Sequence, residues 1–267
     1  MYKILNYFLL SKYYDNLNKF VTRRIHKFFK IFFVETNFKE LPKNNHPLKV
    51  VFSNEYEEFK ISRDLNIKPY TSCENLTELL YVYSKEKGGL SFYDYGAGKL
   101  GLYLYLNKKI QDIKYYYKDQ DTFINIVKEI KKEENLENLI IDNGQEKIND
   151  LDFVYFGSVI QYLNDYKKEV SNFFNKTKYI LFAQTPLISV KDAKNNIIVK
   201  QLNLHPTVNY LQIINFFELW EFMKKNDYIL VEKTLNRVTK FLHFKNFDKK
   251  YKKIHMYDLL FVKNEKK

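Results

Sequence analysis

The residues of this 267-residue chain best placed to do chemistry stand together in the run FYDYGAGKLGLYLYL, where Asp94 precedes Gly96, Gly98 and Gly101. Only seven glycines occur in the whole sequence, so three within six positions mark a loop whose backbone turns through positive φ or approaches another group closely. The pattern G-x-G-x-x-G follows the mainly apolar Leu90–Tyr93 and leads into Leu102–Leu106, which predicts a strand, a tight turn and the start of a helix. A loop of that kind cradles a ligand through its main chain.

The elements that must position this loop alternate along the chain. Strands are expected at 92–95, 113–118, 138–142, 152–156 and 179–183, with helices at 98–107, 122–134 and 166–174 between them. Such alternation predicts a parallel sheet with helices on both faces. The end of the chain differs. After a helix expected at 213–225 come strands at 228–233 and 258–262 joined by a basic loop without a crossover helix, an arrangement that favours antiparallel pairing. Ahead of the glycine loop, 54–85 reads as two helical pieces separated near Pro69, the second capped by Thr71 or Ser72 and broken at Gly88-Gly89. Pro42 and Pro47, among Asn and Lys, mark 36–50 as a linker.

The first 33 residues are rich in aromatics and lysines. Leu17, Phe20, Val21, Ile25, Phe28, Phe29 and Phe32 recur at three- and four-residue steps with basic residues between them, an amphipathic basic helix suited to packing on its own domain, to a partner or to a membrane surface. Its apolar runs are far shorter than the roughly 20 residues that span a bilayer, and no small-residue cleavage site follows, so neither a spanning helix nor a signal peptide is expected.

Composition excludes further classes. The net charge is +12, yet 40 of the 44 basic residues are lysine, and arginine, the usual reader of phosphates and base edges, is scarce; no nucleic-acid partner is expected. A lone cysteine, Cys73, excludes an internal disulfide framework and points to a reducing, cytoplasmic location, with peripheral membrane contact through the N-terminal helix. The five histidines are scattered without ligand spacing, so no built-in metal is expected.

A glycine loop of this form serves two kinds of cofactor. A dinucleotide rests its pyrophosphate on the helix N-terminus, whereas S-adenosylmethionine carries no phosphate and leaves its methionine part in the loop. The segment DYGAGKLG, in its run of parallel-type elements with an antiparallel end, resembles the first motif of the class I S-adenosylmethionine-dependent methyltransferases, over roughly 88–263. DFVYFGSVIQYLNDY, then QTPL, then the segment around HPTVNYLQIINFFELWEFM, is similar more narrowly to a methyltransferase family found among bacterial surface-polysaccharide and O-antigen genes. Two positions depart from that family's pattern: Gly157 stands for the first serine of S-S-V-x-Q-Y-L, and Gln184 for the arginine of R-T-P.

The resemblance implies an α/β, Rossmann-like doubly wound sheet of seven strands, mostly parallel with an antiparallel last strand. Residues 1–87 would form a helical extension capping the acceptor side, and 88–267 the methyltransferase domain. It implies S-adenosyl-L-methionine as cofactor. Asp94 would hold the methionine ammonium group, the loop Tyr95, Gly96, Ala97, Gly98 and Gly101 the methionine part, and Asp119, with Asp121 as the fallback, the ribose hydroxyls about 20 residues beyond the loop, with Gln120 beside it as a further cofactor contact. Asp142 or Asn143 would face the adenine, and Ser158, Val159 and Gln161 the transferred methyl. For a hydroxyl acceptor a base is needed, and His205, the only histidine between the glycine loop and 228–233, is the candidate, with Tyr210 second. The reaction implied is O-methylation of a sugar or related group in surface glycan biosynthesis. A nicotinamide-dependent oxidoreductase and a non-catalytic binding protein on the same scaffold are the alternatives.

Overall fold

In the computed structural model, which describes residues 2–29, 31–42, 52–65, 68–144, 148–189, 196–202, 209–241, 246–247 and 254–265, the glycine loop leaves the end of a central strand, β2 (Leu90–Tyr95). On one side β2 pairs in parallel with β3 (Ile113–Lys118), and β3 with β4 (Leu139–Ile141). On the other side it pairs in parallel with β5 (Leu151–Gly157), and β5 with β6 (Thr177–Ile188). The last strand, β10 (Ile254–Lys263), runs antiparallel to both β6 and β9 (Tyr228–Leu235). These seven strands, in the order β4-β3-β2-β5-β6-β10-β9, match the expected sheet and its antiparallel end.

Period-two alternation divides the strand side chains between two helical layers. Phe92, Tyr115, Phe153 and Leu181 face α5 (Leu76–Lys87), α6 (Gly101–Lys109) and α7 (Asp121–Glu134), joined by Phe59 of α4 (Phe52–Leu65). Tyr93, Val154, Phe156, Ile180, Phe182 and Phe261 face α8 (Tyr166–Ser171) and α9 (Phe216–Lys225). With both faces covered, β5 reads as an unbroken apolar run apart from Asp152, whose carboxylate is held by Lys87, Tyr83 and the Ser91 amide.

Three strands extend the sheet beyond the seven. β8 (Asn209–Asn215) pairs in parallel with the far end of β6, β7 (Ile197–Gln201) pairs antiparallel with β8, and β1 (Phe33–Glu35) antiparallel with β7. This corrects the helix expected from Ile213. Leu211, Ile213 and Ile214 are buried in strand packing, and the Asn215 carboxamide accepts from the Phe217 amide at 3.0 Å, so the helix starts at Phe216. Other helix boundaries move as well, and the helix expected at 166–174 ends at Ser171. The helix expected at Thr71 or Ser72 begins at Leu76, because the Thr71 hydroxyl donates to the Cys73 carbonyl instead of capping. The helix expected from Gly98 begins at Gly101, because Gly98 has φ +60°.

The N-terminal helices α1 (Tyr2–Leu10), α2 (Lys12–Asp15) and α3 (Lys19–Phe29) enclose a small cluster of Leu9, Tyr14, Ile31, Val34 and Leu202 beside β7. The chain turns into β1 at Phe33, so the helical repeat read as far as Phe32 stops at Phe29. Lys200 of β7 is 2% exposed; its ammonium donates to the Leu9 carbonyl at 3.0 Å and pairs with Asp15 at 2.5 Å. The two partners are not equivalent. The Asp15 side chain is 24% exposed and can rehydrate, whereas the ammonium is sealed in. Asp15→Ala is therefore expected to cost about 3 kcal/mol in urea unfolding, and Lys200→Met under about 1 kcal/mol. Equal losses would mean that burial of the ammonium does not govern this contact.

Candidate active site

The site assembles on one face of three neighbouring strands. In register, Asp94 of β2 lies between Tyr117 of β3 and Tyr155 of β5, with Phe92 between Tyr115 and Phe153 one step back. The spacing Ile113, Tyr115, Tyr117 on β3 turns both tyrosines to this face. The Tyr115 hydroxyl donates to the Asp94 carboxylate, and the Tyr117 hydroxyl to the Gly98 carbonyl at 2.6 Å. Burial pushes the Asp94 carboxyl up to about 7; the bond from Tyr115 works against this shift and the charge of Asp119 adds to it.

Two glycines of the loop need their missing side chains for different reasons. Gly96 has φ +75°, and a Cβ there would meet Val159 Cγ2 at 2.7 Å. Gly98 has φ +60° with nothing among the described residues within 4 Å of its Cβ position, so its backbone faces the cavity uncovered. The Gly98 amide donates to the Asp119 carboxylate at 2.6 Å, and the Gln120 amide to its other oxygen at 2.7 Å. Asp119 thus braces the loop as well as ending β3, and burial raises its carboxyl.

Beside the loop lies a cavity of about 500 Å³. Asp94, Gly96, Ala97, Gly98 and Gly101 form one wall, Glu55, Glu58 and Phe59 of α4 another, and 68–72 a third. Lys99, inside the loop, pairs with Glu58 and lies 3.9 Å from Glu55, which fastens α4 to the loop. The 68–72 wall is tied to the far end of the sheet: Asn236 donates to the Ser72 carbonyl at 2.7 Å and to Asp258, and Arg237 donates to the Thr71 carbonyl at 3.3 Å. Residues α4 and 68–72 carry no motif in the sequence. The tyrosine pair on β3 did carry a signal, its period-two spacing beside the glycine loop.

The other expected site residues among those described do not line this cavity, although Val159 packs against Gly96. Tyr95 points to the opposite face, where its hydroxyl donates to Glu169 at 2.9 Å. Gln120 and Asn143 are exposed. Asp142 is buried, accepting from Tyr93 and from the Gly144 amide at 2.7 Å. Ser158 has φ +59° and accepts from the carboxamide of Gln161 at 3.1 Å; the Gln161 oxygen is buried with no hydrogen-bond partner among the described residues. The strand expected at 179–183 runs on through QTPL to Ile188, and Gln184 takes φ +51° at a register shift where its amide donates to Asp258 at 2.7 Å. His205 lies outside the described residues. Among the described residues no group of three or more metal-ligating side chains occurs.

Glycine at position 157 has a steric reason. Residues 155 and 157 share a face of β5, and a Cβ on Gly157 would meet the Tyr155 ring at 2.6 Å and its hydroxyl oxygen at 2.7 Å. Gly157→Ser is expected to destabilise by about 2 kcal/mol, the cost of overpacking, and to lose most of that penalty in a Tyr155→Ala background. A full penalty in both backgrounds, measured by denaturant unfolding, would remove the ring as its cause.

No family model matches the chain, and no curated protein matches it in sequence. Solved structures do match. A 1,6-didemethyltoxoflavin-N1-methyltransferase from Burkholderia thailandensis, solved with 1,6-didemethyltoxoflavin and S-adenosylhomocysteine bound, aligns over 87% of this chain and 95% of its own at 9% identity, with a TM-score of 0.50. A protein from Galdieria sulphuraria assigned as a sarcosine dimethylglycine methyltransferase aligns over 81% of this chain and 99% of its own at 10% identity, also with a TM-score of 0.50. At such identities the likeness is one of fold. The chain has the Rossmann-like α/β fold of these methyltransferases, with a helical N-terminus.

Proposed function

We propose that this chain is an S-adenosylmethionine-dependent methyltransferase acting on a hydroxyl of a sugar or related small molecule in surface glycan assembly. The observation that carries the cofactor is Asp94, buried at the end of β2, held by Tyr115, and opening with Gly96 and Gly98 onto a cavity of about 500 Å³. The chemistry of these groups fits the cofactor: a sealed carboxylate suits an ammonium group, and the open space over Gly98 admits a ligand against bare backbone. Asp119 adds a carboxylate acceptor beside the loop. The Burkholderia thailandensis protein of the same fold binds S-adenosylhomocysteine, which supports the reading. The acceptor class is supported by SVIQYL and QTPL, the segments similar to the surface-polysaccharide family.

When bound, the cofactor supplies a sulfonium methyl group, so the chain's residues need only align, desolvate and handle a proton. Ionised Asp94 would anchor the ammonium end. Segment 68–72 and α4 would exclude water and form the acceptor-side cap, with residues 88–267 as the catalytic domain. Two groups are candidates for taking the hydroxyl proton, His205 and Glu55. Glu55 lines the cavity, and burial raises its carboxyl against the lowering charge of Lys99.

Calorimetric titration with S-adenosylmethionine, S-adenosylhomocysteine and NAD tests the cofactor. Micromolar binding of the first two and none of NAD is expected. Binding of NAD alone would transfer the chain to the oxidoreductases, and binding of none would leave a non-catalytic scaffold.

A further inference from the structure

We propose that α1 and α3 seat this chain on the surface of an anionic lipid bilayer. Among the described residues, eight of the seventeen exposed large apolar side chains fall within the first 42 positions, far more than that stretch's share of the chain. Six of them, Ile4, Tyr7, Leu10, Phe20, Val21 and Phe28, lie on α1 and α3 at helical spacing. Ile4 and Tyr7 of α1 are 79% and 82% exposed, and Phe20 and Phe28 of α3 are 61% and 81% exposed, with Val21 beside them. The inner faces of the same helices are already occupied, by Leu9 on α1 and by the fully buried Thr22 on α3, with Ile25 and Phe29 half-buried against the small cluster. Packing on the domain therefore accounts for one side of each helix and leaves the other apolar side to water. Large exposed apolar patches of this kind mark contact surfaces.

Charge selects the occupant. Residues 1–30 hold seven lysines and arginines against one acidic residue, Asp15, and Asp15 is spent on the buried Lys200. The basic residues are interleaved with the apolar stripe. Arg24 lies over the Phe20 ring at 4.2 Å, and with Ile25, Phe28 and Phe29 it lines a shallow groove. Phosphate headgroups above an acyl boundary satisfy both features at once, cation to headgroup and ring to chain. A nucleic acid would use the cations but gain nothing from Ile4, Val21 and Phe28. At eleven residues, or about 16 Å, α3 is too short to cross a bilayer, and no described helix is long and apolar enough to do so; it would lie in the interface plane.

The inference stands apart from the cofactor reading, and vesicle flotation tests it without cofactor. The full chain is expected to float with phosphatidylcholine vesicles containing phosphatidylglycerol and to stay unbound with phosphatidylcholine alone. Phe20→Ser/Phe28→Ser should lower the partition coefficient by about tenfold at unchanged thermal unfolding, because both rings are exposed. Arg24→Glu should lower it as well. Four results would overturn the proposal: no flotation, flotation unaffected by the double substitution, heparin binding lost in Arg24→Glu but retained in the double variant, or a stable dimer that the double substitution dissociates.

Discussion

Asp94→Asn is expected to weaken S-adenosylmethionine binding by about 10- to 100-fold at pH 8, the equivalent of one charge-assisted hydrogen bond of roughly 1.5–3 kcal/mol. Asparagine keeps the shape and a partner for Tyr115, so the loss reports the missing charge. The pH profile is the sharper readout. With the carboxyl at about 7 in the free protein, a cationic ligand meets mostly neutral Asp94 below that value and must displace its proton. Affinity in the unsubstituted chain should rise about tenfold per pH unit up to about pH 7 and then level off.

Stability should run the other way. An unfolded carboxyl is ionised above its ordinary range near 3.8, while the native one keeps its proton to about 7, so the folded state binds more protons between those values. Asp94's contribution to stability is therefore present at low pH and lost as pH rises through that window. Asp94→Asn should flatten both profiles. Tyr115→Phe, which removes the bond favouring the carboxylate, should move the affinity profile to higher pH. A pH-independent affinity in the unsubstituted chain would separate Asp94 from the ligand.

The second large effect is expected at Gly96. Alanine there must adopt φ +75°, at about 1–2 kcal/mol, and place its Cβ 2.7 Å from Val159 Cγ2, at about 1–3 kcal/mol for overpacking. The sum is about 3 kcal/mol of stability, enough to threaten a domain of ordinary stability. Gly98→Ala is the control. It meets the same dihedral penalty at φ +60° but no described neighbour within 4 Å, so about 1–2 kcal/mol is expected, together with a loss of affinity for any ligand that occupies that open space. In a Val159→Gly background, which removes both Cγ2 at 2.7 Å and Cβ at 2.9 Å, the Gly96 penalty should fall toward that of Gly98. Equal costs for Gly96→Ala and Gly98→Ala in urea titrations would mean that Val159 moves aside.

Much of this architecture was legible because it is written over short spans. Ile113–Lys118 reads as a strand from its alternation alone, and β10 and β9 pair antiparallel because the described part of their connection holds only a 3-10 turn, Arg237–Phe241, and no crossover helix. Asp94 with its glycines announced a loop of positive φ, and Gly96 and Gly98 adopt it. Steric limits on φ and the period of side-chain direction act within a few residues, so spacing alone reports them.

Tertiary structure decided what depends on distant partners. β1, β7 and β8 are runs of three, five and seven residues whose strand identity comes from one another, as in Phe33 paired with Gln201 across 168 positions. Nothing near Glu55 or Thr71 marks them as walls of a cavity; Lys99 and Arg237 bring them there. Asp119 was legible as a carboxylate ending a strand, but its hold on the Gly98 amide required the loop to fold over it. The sequence by itself determined the local backbone, the alternating layers and the glycine loop with its acid. Burial summed across the whole chain decided which edge each strand joins, which helix covers the loop and which charged groups lose their water, since desolvation exists only once distant segments have closed over a site.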